Sequence, residues 1–493
     1  MLKKLLAVLL VFAILLVLAI LPAGAFACTA IYVGSGLTAD GSTIFARLEE
    51  YTSDEGWPKL FEVIPEGTHK AGEVYTGCYG FTWTFTHDSY GCTAFRDNNS
   101  LGVCPDCGGT HAHTPYQAGG TNSRGVSVTA TETLVGNAAV TAVDPFNTES
   151  GIEEAEIPTI LLSEASTARE AMTLLTSIYS TVGACDAGSV IVADADEVWY
   201  IENLSGRQYI AVRLNADMAF VCPNISVIGL VNLNDTENVA ASGGLIETAV
   251  KAGTFAGNQE AQTIDFAVSY DDAPDSTYLR LAAGLNFLSG AGTCPADLTR
   301  SGITGSEFRI SNVDPEGKTV PLYTAIRLKE KPGVRDVMRF YQQEPISRHK
   351  SLETHIFQIS DHTENGTVEW ISMADNRTSV FVPYLPLATS EVFEPYRARL
   401  AMPGHTGEEP ADGLYYTAKS GGWGIYPEGW RDSWYWVFTM LEHIAGADEA
   451  AAVQIRERMD ALQDEICASG EFGNLAAEKC WSAALELLSG FGR

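Results

Sequence analysis

The chain has 493 residues, 46% of them hydrophobic and 10% aromatic, which is enough for a large core and too much for a disordered polymer. A formal net charge of −31 argues against a nucleic-acid binder and against docking on anionic membranes, and it suits a soluble exported protein kept apart by self-repulsion. These totals say nothing about fold.

Residues 1–27 have the three parts of a secretory signal. Lys3 and Lys4 give a positive start, residues 5–21 are an unbroken apolar run, and Ala25 and Ala27 are small residues before a cut. The run is near the length of a membrane helix, so an uncleaved anchor is one alternative. A lipoprotein with an acylated Cys28 is another. Ala25 and Phe26 match a lipoprotein signal poorly, and an apolar, β-branched run follows Cys28 at once where a flexible tether would be expected. Cleavage after Ala27 makes Cys28 the first residue of the mature chain and removes two lysines from the charge balance.

Residues 28–34 read as a buried strand, 37–41 as a turn with Asp40-Gly41 as its strongest signal, and 42–47 as the returning strand. Residues 61–85 continue in short β-like runs. Residues 89–116, rich in Cys, Gly, Asn and His, read as an irregular insertion. Residues 119–125 form a turn before a strand at 126–131. Two helices follow, the clearer one starting at Thr167, where Thr167 and Glu170 make a capping-box pattern. Ala171, Leu174, Leu175 and Ile178 share its apolar face, and Gly183 ends it. A hairpin spans 189–192 and 197–202, and residues 220–230 form a further apolar segment. Another hairpin spans 355–360 and 368–373, with Asn365-Gly366 in its turn. From about Asp432 the chain is helical, with Ile455, Met459, Leu462 and Ile466 as a core stripe. This order favours sheets covered by helices over regular β-α alternation. The simplest division is one catalytic domain at 28–430, with the insertion at about 89–116, and a helical C-terminal extension at 431–493 packed on it.

The chain holds ten cysteines. If Cys28 is free, an odd number remains, and export permits disulfides. Cys467 and Cys480 flank a short helical connection and are one candidate pair; Cys78, Cys92, Cys104 and Cys107 cluster and allow one or two bridges. Cys104 and Cys107 with His111 and His113 also have ligand types suited to zinc. In an exported protein a Cys-x-x-Cys is more often a disulfide or redox pair, so no metal or other cofactor is assigned.

A mature N-terminal cysteine carries a thiol and a free α-amine on one carbon. Their ordinary pKa values are about 8.5 and about 7.7–8.0, so each lies in the working range of the other. The amine can take the thiol proton and later return it to a leaving amine. A nearby cation favours the thiolate, and Arg47 is available because the hairpin folds back on Cys28. Glu50 can bind a substrate ammonium or orient Arg47. An oxyanion needs donors. The amide of Asn224, in Pro223-Asn224 within the apolar segment, is one candidate, and a backbone N–H near Thr131 or Glu132 is a second. Against each stands an ordinary structural reading. A cysteine at a strand start is usually a core residue, Arg47 a solvated strand end and Asn224 a turn residue.

Cys28-Thr29-Ala30-Ile31 followed by Asp40-Gly41-Ser42-Thr43-Ile44-Phe45-Ala46-Arg47 resembles the start of the PepD-type dipeptidases. These are N-terminal-nucleophile cysteine peptidases related to choloylglycine hydrolases and penicillin V acylases. Further similar segments follow in order, among them Asn122-Ser123-Arg124-Gly125, Thr167-Ala168-Arg169-Glu170-Ala171, Asp196-Glu197-Val198-Trp199-Tyr200-Ile201-Glu202, Thr354-His355-Ile356-Phe357-Gln358 and Ser379-Val380-Phe381-Val382-Pro383-Tyr384. The resemblance implies an α+β fold, a four-layer αββα sandwich, and hydrolysis of dipeptides with Cys28 as nucleophile and Arg47 beside it. It implies Asn224 in the oxyanion hole, with Glu50, Glu132 and Arg280 on the substrate side. The related acylases usually carry Asp where Glu50 stands. The reading is therefore an exported dipeptidase matured by signal peptidase. Its alternatives are an amidase of the same fold acting on bile-salt or acyl-amide substrates, and a lipid-anchored binding protein without catalysis. Side-chain preference and oligomeric state stay open, a homo-oligomer included.

Overall fold

The computed structural model describes residues 28–50, 58–77, 80–98, 116–132, 134–274, 277–290, 308–348, 351–360, 366–400, 415–417 and 423–493. The signal segment, Cys78, Cys104, Cys107, His111 and His113 lie outside these residues. Among the described residues no helix is long and apolar enough to cross a membrane.

The protein mixes helices with two large antiparallel sheets. The six-stranded sheet runs Ala219–Cys222, Thr29–Val33, Thr43–Glu50, Ser351–Ile359, Val368–Met373, Val382–Tyr384. The eight-stranded sheet runs Val239–Ala241, Tyr209–Leu214, Val198–Asn203, Gly188–Ala193, Ser127–Glu132, Gln117–Thr121, Cys92–Asp97, Lys59–Ile64. Strand alternation gives the eight-stranded sheet two different apolar faces. Val190, Val192, Trp199, Ile201 and Ala211 pack with the helices Ile157–Glu164 and Ala168–Thr181. Ile191, Ala193, Tyr200, Ile210 and Val212 join the main core with the six-stranded sheet. Across the seam, the His355 ring stacks on Phe95 with centroids 4.7 Å apart, and His355 Nε2 lies 2.7 Å from Thr129 Oγ1.

Local signals are met closely where the chemistry is short-range. The Thr167 hydroxyl caps its helix by accepting from the Glu170 N–H at 3.1 Å, worth about 1 kcal/mol. The reciprocal half of the capping box is displaced by one residue: the Glu170 carboxylate accepts from the backbone of Ser166, not Thr167. Gly183 follows the helix at φ +98°, a conformation that costs glycine little. The chain ends in three helices, Trp434–Ala447, Glu449–Ser469 and Asn474–Gly490, and Ile455, Met459, Leu462 and Ile466 are all buried.

Three expectations change. Residues 92–97, expected within an irregular insertion, form an interior strand of the eight-stranded sheet, because both of their faces are covered. The apolar segment at 220–230 is not one strand. Its ladder with Thr29–Val33 stops at Cys222, since Pro223 has no N–H to continue it, and pairing resumes only at Ile228 and Leu230 with other partners. Cys467 and Cys480 are separate free thiols, the first exposed and the second buried.

Candidate active site

Cys28 lies at the head of the central strand Thr29–Val33. Ala30 pairs with Cys222 on one side and Arg47 on the other. Antiparallel register therefore carries Cys28 to the level of Asn224 on one flank and of Glu49 on the other. Arg47 is its diagonal cross-strand neighbour on the same face, within reach of a long side chain. Arg47 Nη2 donates to Cys28 Sγ at 3.3 Å.

Arg280, on the helix Thr277–Ser289, ties the other side together. Its Nη1 donates to the Cys28 carbonyl at 2.6 Å and to Thr29 Oγ1 at 2.9 Å, and its Nη2 donates to Asn224 Oδ1. Tyr341 adds a hydrogen bond to the Thr29 carbonyl at 3.0 Å. Asn224 has φ +70°, a left-handed conformation that a non-glycine residue holds only when its surroundings impose it. With Oδ1 taken by Arg280, Nδ2 is buried and has no acceptor among the described residues. Nε and Nη1 of Arg47 are likewise buried without a hydrogen-bond partner among them. Buried donors are rarely left unmatched. Here they belong to two residues tied to Cys28, Arg47 through its Nη2 and Asn224 through Arg280.

Carboxylates modulate this cluster. Glu154 accepts from Arg47 Nη2 at 2.7 Å and from the Tyr116 hydroxyl at 2.5 Å. Glu49 Oε2 is 3.8 Å from Arg47 Nη1, and the Glu49 carboxylate is also bound by Lys59, which bonds Asp97 as well. Burial pushes the Cys28 thiol above its ordinary value; Arg47 pulls it down, Glu154 and Glu49 push it up, and a hydrogen bond from the Glu50 backbone pulls it down. Burial lowers Arg280 to about 10 while Glu50 opposes this, so Arg280 stays charged at neutral pH.

Of the residues singled out from sequence, Cys28, Arg47, Asn224 and Arg280 converge. Glu50 does not orient Arg47. It lies three residues on, on the opposite face of the strand, and its carboxylate is gripped by Arg348 at 2.6 and 3.3 Å. Burial raises its pKa and Arg348 lowers it. The partner of Arg47 is Glu154, which sequence reasoning missed. Its signal was the run Glu153-Glu154-Ala155-Glu156 set between Ile152 and Ile157: acidic residues among apolar ones must find partners when buried. Glu132 ends its strand paired with Gly188, and only its backbone is described. Among the described residues no group of three or more His, Cys, Asp or Glu is arranged to hold a metal.

A cysteine sulfur beside a cation, with an unmatched amide donor on the same scaffold, suits nucleophilic attack on a carbonyl. Comparison with known proteins agrees on the class. The chain is similar to "Probable dipeptidase B" of Streptococcus pyogenes serotype M1, with 29% identity over 398 residues, covering 76% of this chain and 74% of that protein. It is similar to "Probable dipeptidase" of Salmonella dublin, with 29% identity over 383 residues and coverage of 73% and 80%. A solved structure, that of a mutant conjugated bile acid hydrolase from Clostridium perfringens, aligns with a TM-score of 0.25 and 12% identity over 38% of this chain and 51% of that one, too slight a likeness to bear on the fold. Residues 27–286 match the model of Peptidase family C69, over half of the chain, so the protein belongs to that family and is a cysteine peptidase.

Proposed function

We propose that the protein is an exported dipeptidase whose nucleophile is Cys28, exposed as a mature N-terminus when signal peptidase removes residues 1–27. The observation that carries this reading is the shared guanidinium of Arg280. It binds the Cys28 carbonyl and the Asn224 side-chain oxygen together, which holds the amide of Asn224, whose Nδ2 has no partner among the described residues, close to Cys28. The names of the similar proteins support the dipeptide as substrate.

In this mechanism the α-amine of Cys28 accepts the thiol proton, and the sulfur attacks the scissile carbonyl of a dipeptide. Asn224 Nδ2 and a backbone N–H near Thr131 or Glu132 hold the oxyanion. The amine returns the proton to the leaving amino acid, a thioester remains on Cys28, and water hydrolyses it. Arg47 favours the thiolate. Arg280 and the strand end at Glu132 lie on the substrate side, whereas Glu50, turned to Arg348 on the far face of its strand, takes no part in this mechanism. The contacts of helices with the eight-stranded sheet on one side and the six-stranded sheet on the other support a four-layer αββα sandwich, with residues 431–493 as an extension of one catalytic domain.

The test is intact mass and N-terminal sequencing of the exported protein, with dipeptide hydrolysis by wild type and Cys28→Ala. The expected result is a free Cys28 terminus and activity abolished in the variant, which stays folded. Acylated Cys28, retained residues 1–27, or full activity in Cys28→Ala would sink the proposal.

A further inference from the structure

Glu202 is used by nothing described so far. It lies near the end of the strand Val198–Asn203, in the sheet opposite the one that bears Cys28, and is fully buried. Its carboxylate accepts from the Ser226 hydroxyl at 2.5 Å, from the Val227 backbone N–H at 2.8 Å and from the Tyr200 hydroxyl at 2.8 Å. It forms no ion pair among the described residues. Two of its three donors belong to the turn that follows Cys222 and contains Asn224.

The same turn is held elsewhere by weaker contacts. Asp271 accepts from the Ser226 N–H at 3.3 Å, and the Cys222 thiol donates to the Ile225 carbonyl at 3.3 Å. The Tyr200 hydroxyl lies 3.3 Å from the Cys222 sulfur, so Tyr200 and Glu202 grip both limbs of the turn. Arg280 fixes the side-chain amide of Asn224 but not its backbone. A non-glycine residue at φ +70° needs that backbone restraint. Three donors converge on this one carboxyl group, two of them from the turn. A buried carboxylate is an expensive way to fill a core, so its use here lies in the donors it gathers.

We propose that Glu202 is a positioning residue for the oxyanion side of the site: reaching across from the second sheet, it sets the Cys222–Val227 turn and thereby aims the Asn224 amide. This rests on reading Asn224 as the oxyanion donor. Glu202 touches no reacting atom, so its removal should weaken stabilisation of the tetrahedral intermediate and spare the thiolate.

The experiment measures two rates on the exported, full-length mature protein: kcat and KM for a dipeptide, and the alkylation rate of Cys28 by iodoacetamide, which needs a thiolate but no oxyanion donor. Asn224→Asp should lower kcat by about 100-fold or more. Glu202→Ala should lower kcat by about 10-fold, with KM and alkylation changed less than about twofold. Glu202→Gln keeps an acceptor for the Val227 N–H and should recover most of kcat. Glu202→Asp, withdrawn by one methylene, should fall between, and it supplies the answer if the alanine variant does not fold. The proposal is overturned if both the alanine and aspartate variants keep wild-type kcat, or if kcat and alkylation fall together. Unchanged kcat in Asn224→Asp would instead remove the oxyanion reading itself, whatever Glu202 does.

Discussion

Cys28 is poised between opposing charges. Burial and the carboxylates of Glu154 and Glu49 hold its proton on; Arg47 and the Glu50 N–H ease it off. Glu154 acts twice, because it also fixes the guanidinium that favours the thiolate. Replacing it by Gln removes a negative charge near the sulfur and leaves a hydrogen-bond acceptor for Arg47 and Tyr116. A neighbouring negative charge raises a thiol pKa, so its loss must lower it. Glu154→Gln should therefore shift the midpoint of the Cys28 alkylation rate against pH downward by about one unit. An unchanged or raised midpoint would mean that the two groups are not coupled. Complete removal of Arg47 is less informative, since it takes from the buried Glu154 its guanidinium, and breaking a buried ion pair costs about 3–5 kcal/mol.

At the scale of strands and turns, the seam between the sheets carries a second buried carboxylate. Glu369, on the strand Val368–Met373, accepts from Thr93 Oγ1 at 2.7 Å, and its Oε2 has no hydrogen-bond partner among the described residues. Burial pushes it up to about 7. An unfolded Glu titrates near 4.3, so the folded state holds this proton more tightly than the unfolded state. Its contribution is complete below about pH 4 and is lost as pH rises towards 7. Glu369→Gln, which cannot ionise, should match the wild-type Tm at pH 4 and exceed it at pH 8 by on the order of 2–4 °C. An equal difference at both pH values would mean that packing, not ionisation, is responsible. Much at this scale was legible beforehand. The hairpin of Cys28, the helix cap at Thr167 and the stripe from Ile455 to Ile466 all follow from residues within a few positions of each other. The strand Cys92–Asp97 was not legible, because its surroundings read as loop and its partners come from residues 59–64 and 117–121. The break at Pro223 was not drawn from sequence, because the apolar residues on both sides of it run together as one segment.

For the whole molecule, maturation and catalysis are one event in the proposed mechanism. While residues 1–27 are attached, the Cys28 nitrogen is an amide and cannot accept a proton. A precursor that retains them should alkylate at Cys28 yet hydrolyse dipeptides about 100-fold more slowly than the chain beginning at Cys28. Turnover measured before and after cleavage at Ala27-Cys28 checks this, and equal rates would show that the amine plays no part. The sequence by itself determined the family and the hairpin of Cys28 and pointed to the proposed nucleophile and the candidate donors, since each depends on residue identity and short-range spacing. Only the tertiary structure decided which carboxylate meets Arg47. Strand alternation turned Glu50 to Arg348 on the far face, and Glu154, 107 positions away, was brought in on the near one. It also decided that Arg280 joins Cys28 to Asn224 and that Glu202 reaches their turn from the opposite sheet. Such contacts between distant segments leave no local pattern, because they are selected by the packing of two sheets and not by the chain around each residue.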